Sequence, residues 1–245
     1  LYFVRFLPEL VEPWLGAAAL PERLRARVRR LMYPHGPHGA VMAFADQDTL
    51  CVGLSAQDRV TLVRALATAP AELLSLRVEP GEPVDERAAY WGQGGREDEV
   101  RPVLAALAQR PGGGSVDVAH LLPSYPAARL YHYPAAPAPS YSCHHGALNF
   151  FTDPPDPRYL SDAEVARALM ERYQQVPGPP RLGDVLTLQR PDGSVLHSMA
   201  YVAADLVFTK NGLTHLAPWI LARQRNTRAL SADQTATEHL YRRKP

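Results

Sequence analysis

The sequence predicts an α+β fold, and two observations carry that expectation. Three strand-type runs, "DVLTLQR" (184–190), "VLHSMAYV" (195–202) and "LVFTKN" (206–211), follow one another across short turns. The segment before them, "SDAEVARALMERYQQV", repeats apolar residues at helical spacing after a capping Ser161. An antiparallel meander that follows a helix is an α+β arrangement. With 245 residues, the chain has room for one large domain or two modest ones, each with a real core.

The N-terminal third reads as a smaller α/β region. "LPERLRARVRRLMY" is an amphipathic helix whose arginines form a solvated face, and "PHGPHG" closes it with turn residues. "AVMAFAD" and "TLCVGL" read as a strand pair. Ser55 caps a helix in "SAQDRVTLVRALATAP", with Asp58 favourable in its first turn. "LLSLRVE" is a third strand, and the turn formers and charges of "EPGEPVDERAAYWGQGGRED" predict a loop. "EDEVRPVLAALAQR" is a helix, in which Pro102 is expected only within the first turn. "RPGGGS" then marks the boundary, giving an N-terminal region at 1–114 and a second domain at 115–245. In that second domain a proline-studded segment leads into "CHHGALNFF", the start of a buried helix stopped by "DPPDP". "PDGS" makes a tight hairpin between the first two strands of the meander, and "AAD" joins the second pair.

Composition removes several function classes. A formal net charge of +1 argues against a protein that binds nucleic acid by neutralising phosphates. No apolar run approaches the roughly 20 residues of a membrane span. The glycines of "GQGG" and "PGGG" lack the strand-before, helix-after setting of a phosphate loop. The first residues show no signal peptide in order, and export stays compatible with a chain that opens on Leu1. Two cysteines are too few for a disulfide framework; Cys51, in an apolar run, reads as core.

Cys143 is different. It sits where the irregular segment gives way to a helix, and a thiol attacks only as thiolate. A helix N-terminus and a neighbouring imidazole both favour that form. His197 lies near the start of the middle strand, on the same side as Met199 and Tyr201. A polar group opening an otherwise apolar strand face is where a catalytic base belongs.

In this order of residues the chain resembles the NlpC-type papain-fold cysteine peptidases. "YHYPAAPAPSYSC" puts Tyr131 twelve positions before Cys143, and "LGDVLTLQRPDGSVLHSMAYV" is similar to the family's "GDV" strand opening one hairpin before its histidine. The resemblance covers roughly residues 120–225. It implies a papain-like core of helices on an antiparallel sheet, with Cys143 as nucleophile and His197 as base. A third polar residue twelve positions after the histidine would orient the imidazole, which lands on Thr209; Asp205 and Asn211 are alternatives. Tyr131 would help form the oxyanion site, and His144 would line the cleft. The implied activity is a cysteine peptidase or amidase acting on a peptide or cell-wall amide bond, with no cofactor. The sequence departs from the family around the nucleophile, where "SCHHG" replaces the usual Asp-Cys-Ser-Gly, and at Thr209, where His, Asn or Gln is usual.

Two rival readings remain. A metal site would use Cys143, His144, His145 and His132 or His215, but adjacent side chains on a helix diverge by about 100°, so no metal is expected. The other rival is a non-catalytic binding protein on a degenerate papain-like fold. It predicts a covered or dispersed Cys143 and His197; an enzyme predicts the two close together in an open cleft.

Overall fold

A computed structural model describes residues 5–36, 39–44, 47–66, 71–130, 141–210, 217–230, 233 and 235–245. The class is mixed α+β with antiparallel sheets. No helix among these residues is long and apolar enough to cross a membrane.

The first elements are β1 (Arg5–Phe6), α1 (Pro8–Ala17), α2 (Glu22–Leu31), β2 (Met32–His35), β3 (Val41–Phe44), α3 (Gln47–Cys51) and α4 (Ala56–Leu66). They enclose a core of Phe6, Trp14, Leu15, Leu24, Val28, Leu50 and Leu62. Here the expected strand pair is corrected. "TLCVGL" contributes the end of helix α3, and β3 pairs with β1 and β2 instead. Arg27 on α2 explains why: its guanidinium donates to the carbonyls of Leu50, Thr49 and Val52 at 2.7, 3.1 and 2.7 Å. These are the orphan carbonyls that a helix end leaves open. The arginine face is therefore partly a staple, since Arg29 also pairs with Glu12 at 2.8 Å. Cys51 is only partly buried against this core.

The next stretch holds β4 (Ser75–Val78), α5 (Asp85–Trp91), α6 (Glu97–Ala108), β5 (Gly114–Asp117) and α7 (Ser124–Ala127). Helix α5 lies inside the segment expected to be a loop. Its Ala88 and Trp91 are buried, an apolar signal too short to stand out among charges and glycines. Pro102 sits beyond the first turn of α6, but on its exposed side, where the carbonyl its ring frees is open to water.

Then follow α8 (Cys143–Leu148), α9 (Asp162–Arg172), β6 (Tyr173–Gln175), β7 (Val185–Gln189), β8 (Val195–Ala203), β9 (Leu206–Lys210), β10 (Trp219–Arg223), α10 (Gln224–Leu230) and β11 (Thr237–Arg243). The predicted meander is β7–β8–β9, within a six-stranded sheet of order β10-β9-β8-β7-β11-β6. One face carries α8 and a large core in which Val78, Trp91, Leu104 and Leu107 meet Ala200, Val202, Phe208 and Trp219. Apolar packing therefore runs on through the stretch read as a boundary. Tyr90 reinforces it by donating to the Val202 carbonyl at 2.6 Å. The other face holds Leu186, Leu188, Met199, Tyr201 and Val207.

Two details seat α8. Gly146 lies so close to Trp219 that an added Cβ would fall 2.0 Å from its ring, and that ring is stacked on Phe208 at 5.2 Å. Fully buried Asn149 exchanges hydrogen bonds of 3.1 and 2.8 Å with the backbone of Asp156, bracing the chain after the helix. Gly146→Ala should therefore lower unfolding stability by about 1–3 kcal/mol through overpacking, read by urea denaturation. A wild-type midpoint would mean that Trp219 yields freely.

Candidate functional site

The site is built where α8 meets β8 and β9. Ser142 begins the helix: its backbone is extended and its hydroxyl accepts from the His145 amide at 3.2 Å. The next residue, Cys143, is thus the first of the helix, as expected. It is 6% exposed.

The three residues that follow the cap diverge as helical geometry requires. His145 Nδ1 meets the Tyr125 hydroxyl at 2.9 Å, away from the thiol, and its ring packs on Tyr141. His144 turns to the sheet, where Nδ1 lies 2.8 Å from the Ser198 hydroxyl. The imidazole that acts on the acidity of the Cys143 thiol is that of His144, together with the backbone of Ser198 and His144. Among the described residues no group of three His, Cys, Asp or Glu could hold a metal ion.

His197 makes a separate pair. Its Nε2 lies 2.9 Å from Thr209 Oγ1, so the interval of twelve does bring these two side chains together across adjoining strands. Thr209 also donates to the Ser198 carbonyl at 3.3 Å. A hydroxyl has one proton to give. With that proton on the carbonyl, Thr209 accepts from His197 Nε2–H, and the basic lone pair of His197 is left on Nδ1.

The imidazole that acts on the thiol is His144, where His197 was expected, and strand alternation is the reason. His197 stands opposite Leu188 in the β7–β8 register, with the side chains of the face that carries Met199 and Val207. Ser198, one residue on, faces α8. A bulge fixes this: Gln189 pairs with Val195 and Leu188 with His197, so Leu196 is the extra residue. Phe208 and Lys210 share the α8 side of β9, Phe208 in its core and Lys210 close enough to Cys143 to feel its charge.

The electrostatics follow from these contacts. Burial pushes the Cys143 thiol up, but the bond and charge of His144 and the backbone bonds bring it below its ordinary value. Burial pushes His144 down, yet the bond and charge of Cys143, with Asp162 further off, raise it overall. Opposite shifts of this kind favour thiolate with imidazolium. Burial alone takes His197 down to about 4. His145 is also held near 4, by burial and then by the Arg129 charge. Lys210, 2% exposed, is lowered by burial to about 8.

Of the other expected site residues, Tyr131, Asn211, His132 and His215 lie outside the described residues. Asp205 occupies the hairpin at the far end of β8, ion-paired with Arg223 at 2.8 Å. From His197 to that end of the strand is about 20 Å at the usual rise of a β-strand. Sequence reasoning did not single out Ser198 or Lys210. The available signal was a polar residue on the side of β8 that otherwise carries Val195, Ala200 and Val202. No family model matches the chain, and no curated protein matches it.

The depressed histidines make a pH prediction. His145 and His197 take up protons near pH 4 when folded but near about 6.5 when unfolded. Protonation below about 6.5 therefore favours the unfolded chain, so melting temperature should fall as pH drops from about 6.5 to 4. His144 has the opposite sign: its contribution is full below about 6.5 and fades as pH rises through its folded value. Replacing His145 and His197 with Asn should flatten the acid slope; an unchanged slope would show that neither is held neutral.

Proposed function

We propose that the protein is a cysteine hydrolase that cleaves an amide or related acyl bond, with Cys143 as nucleophile. The observation that carries this reading is the thiol itself: it opens a buried helix behind the capping Ser142, and the neighbouring His144 favours its thiolate form. The reacting set is Cys143, His197 and Thr209. Sγ attacks the carbonyl carbon and the carbonyl π pair moves to oxygen. The C–N bond then breaks as an imidazolium protonates the leaving amine. Water attacks the thioester, an imidazole takes its proton, and the sulfur leaves as thiolate. The substrate class proposed is a peptide amide, cell-wall stem peptides being the case that the resemblance to NlpC-type enzymes implies, on a papain-like core. The backbone amide of Cys143 and the hydroxyl of Tyr131 are proposed as oxyanion donors.

A second reading, a non-catalytic binding protein on the same core, is favoured by two observations: Cys143 and His144 are each less than a tenth exposed, and His197 stands on the sheet face away from α8. Thiol chemistry separates the two. Limited iodoacetamide, followed by peptide mapping, should label Cys143 before Cys51, with a pH midpoint below the free-thiol value of about 8.5. Faster labelling of Cys51 would favour the binding protein. His197→Ala should lower peptide or muropeptide hydrolysis by several orders of magnitude while keeping the fold. Thr209→Val, nearly isosteric, should lower it about tenfold, because a neutral hydroxyl stabilises imidazolium less than a carboxylate does.

A further inference from the structure

We propose that a cleft at the end of β11 binds a small organic carboxylate with an aromatic or branched apolar body, held by Arg181, Arg242 and Arg243. This goes beyond the hydrolase reading and does not depend on it. The cleft lies beside Ala147 and Leu148, at the opposite end of α8 from Cys143.

The cleft has a volume of about 230 Å3 and forms where the end of α8, the turn before β7 and the last residues of β11 converge. That is below the roughly 300 Å3 at which pockets for drug-sized ligands begin, so the occupant is small. Its base is apolar: Phe150, Leu182 and Tyr173 are buried, and Phe151 is half-buried beside them. Two glycines hold the Phe151 ring. Gly94 and Gly183 have φ of +81° and +80°, and an added Cβ on either would strike that ring. Phe151 is thus clamped between two turns of bare backbone, which makes it a fixed wall.

Charge selects an anion. Asp184 is the one carboxylate among the described residues that line the cleft, and its oxygens are already taken. Only 4% exposed, it accepts from Arg242 Nε and Nη2 at 3.0 and 2.6 Å and from the Arg181 amide at 2.8 Å. This two-point grip fixes the Arg242 fork and leaves its Nη1 without a partner among the described residues. Arg181 and Arg243 are exposed at the rim, and neither side chain pairs with a carboxylate among the described residues. Arg243 lies close enough to Tyr173 for its charge to act on the phenol. Three guanidiniums against one carboxylate leave two positive charges unbalanced at the mouth of an apolar recess. A guanidinium fork matches a carboxylate in shape and is weakly hydrated, so it gives up water readily. An acid with an apolar body fills both parts of the cleft, whereas a bare inorganic anion would leave the base unfilled.

The test titrates the whole chain with 3-phenylpropionate, its neutral analogue 3-phenylpropanol, acetate and inorganic phosphate. Calorimetry is run at low salt, because added ions screen exposed charges. Phenylpropionate should bind saturably at one site and raise the melting temperature, as a ligand of the native state does. The other three probes should bind at least about tenfold more weakly. Arg242→Gln would strand the buried Asp184 carboxylate, so the exposed arginines are the cleaner probe. Arg181→Gln with Arg243→Gln should weaken phenylpropionate binding by about tenfold or more and leave the melting temperature of the free protein near that of wild type. Gln93→Trp, which fills the cleft from the turn after α5, should abolish binding with all three arginines in place. No saturable binding of phenylpropionate at millimolar concentration would overturn the proposal, as would wild-type affinity in either variant. Phosphate or acetate binding as tightly as phenylpropionate would overturn it by showing a plain anion site. Phenylpropanol binding as tightly would overturn it by showing an apolar pocket indifferent to charge. None of these results bears on Cys143, so the hydrolase reading stands or falls separately.

Discussion

The position of Ser198 in β8 is the constraint on which the site depends. Its hydroxyl meets His144, its backbone reaches the Cys143 thiol, and its carbonyl accepts from Thr209. Both imidazole–hydroxyl pairs are thus joined through one residue. A buried polar group left without a partner costs about 1–3 kcal/mol, and here the groups satisfy one another. Because strand side chains alternate, a slip of one residue would turn Ser198 away from α8 and bring His197 beneath it. The bulge at Leu196 decides between those outcomes, since it sets which of two neighbours faces the helix.

Close packing makes the arrangement rigid enough to matter chemically. Gly146 lets α8 rest on the Trp219 ring, Phe208 backs that ring, and Asn149 ties down the chain beyond the helix. The thiol is therefore held by neighbours that cannot easily move. Its acidity comes from local hydrogen bonds more than from the helix as a whole. The same enclosure desolvates His197, His145 and Lys210, and all three are pushed towards their neutral forms. Cys143 and His144 shift the other way, each towards its charged form.

The fold was legible where its signals are local. Strand runs of alternating character, the "PDGS" hairpin and the start of a buried helix at Cys143 all stand where the sequence suggested. Readings failed where distant partners decide. "TLCVGL" has a strand's composition, but the strands beside β3 come from Arg5–Phe6 and Met32–His35, and Arg27 completes a helix end instead. Helix α5 owes its place to Ala88 and Trp91 docking in a core shared with β8 and β9. Pro102 is accommodated because its side of α6 faces water.

The candidate site divides along the same line. Sequence alone determined the chemistry on offer: a cysteine at a helix start, a histidine near a strand start, and a threonine twelve positions later on the adjoining strand, because capping, alternation and hairpin length are properties of neighbouring residues. Only the tertiary structure decided which imidazole the sulfur meets. That depends on a one-residue bulge and on which sheet face receives α8. The two-residue period of a strand is identical for either choice, so the sequence offers a polar residue on each face, His197 on one and Ser198 on the other, without saying which face receives α8.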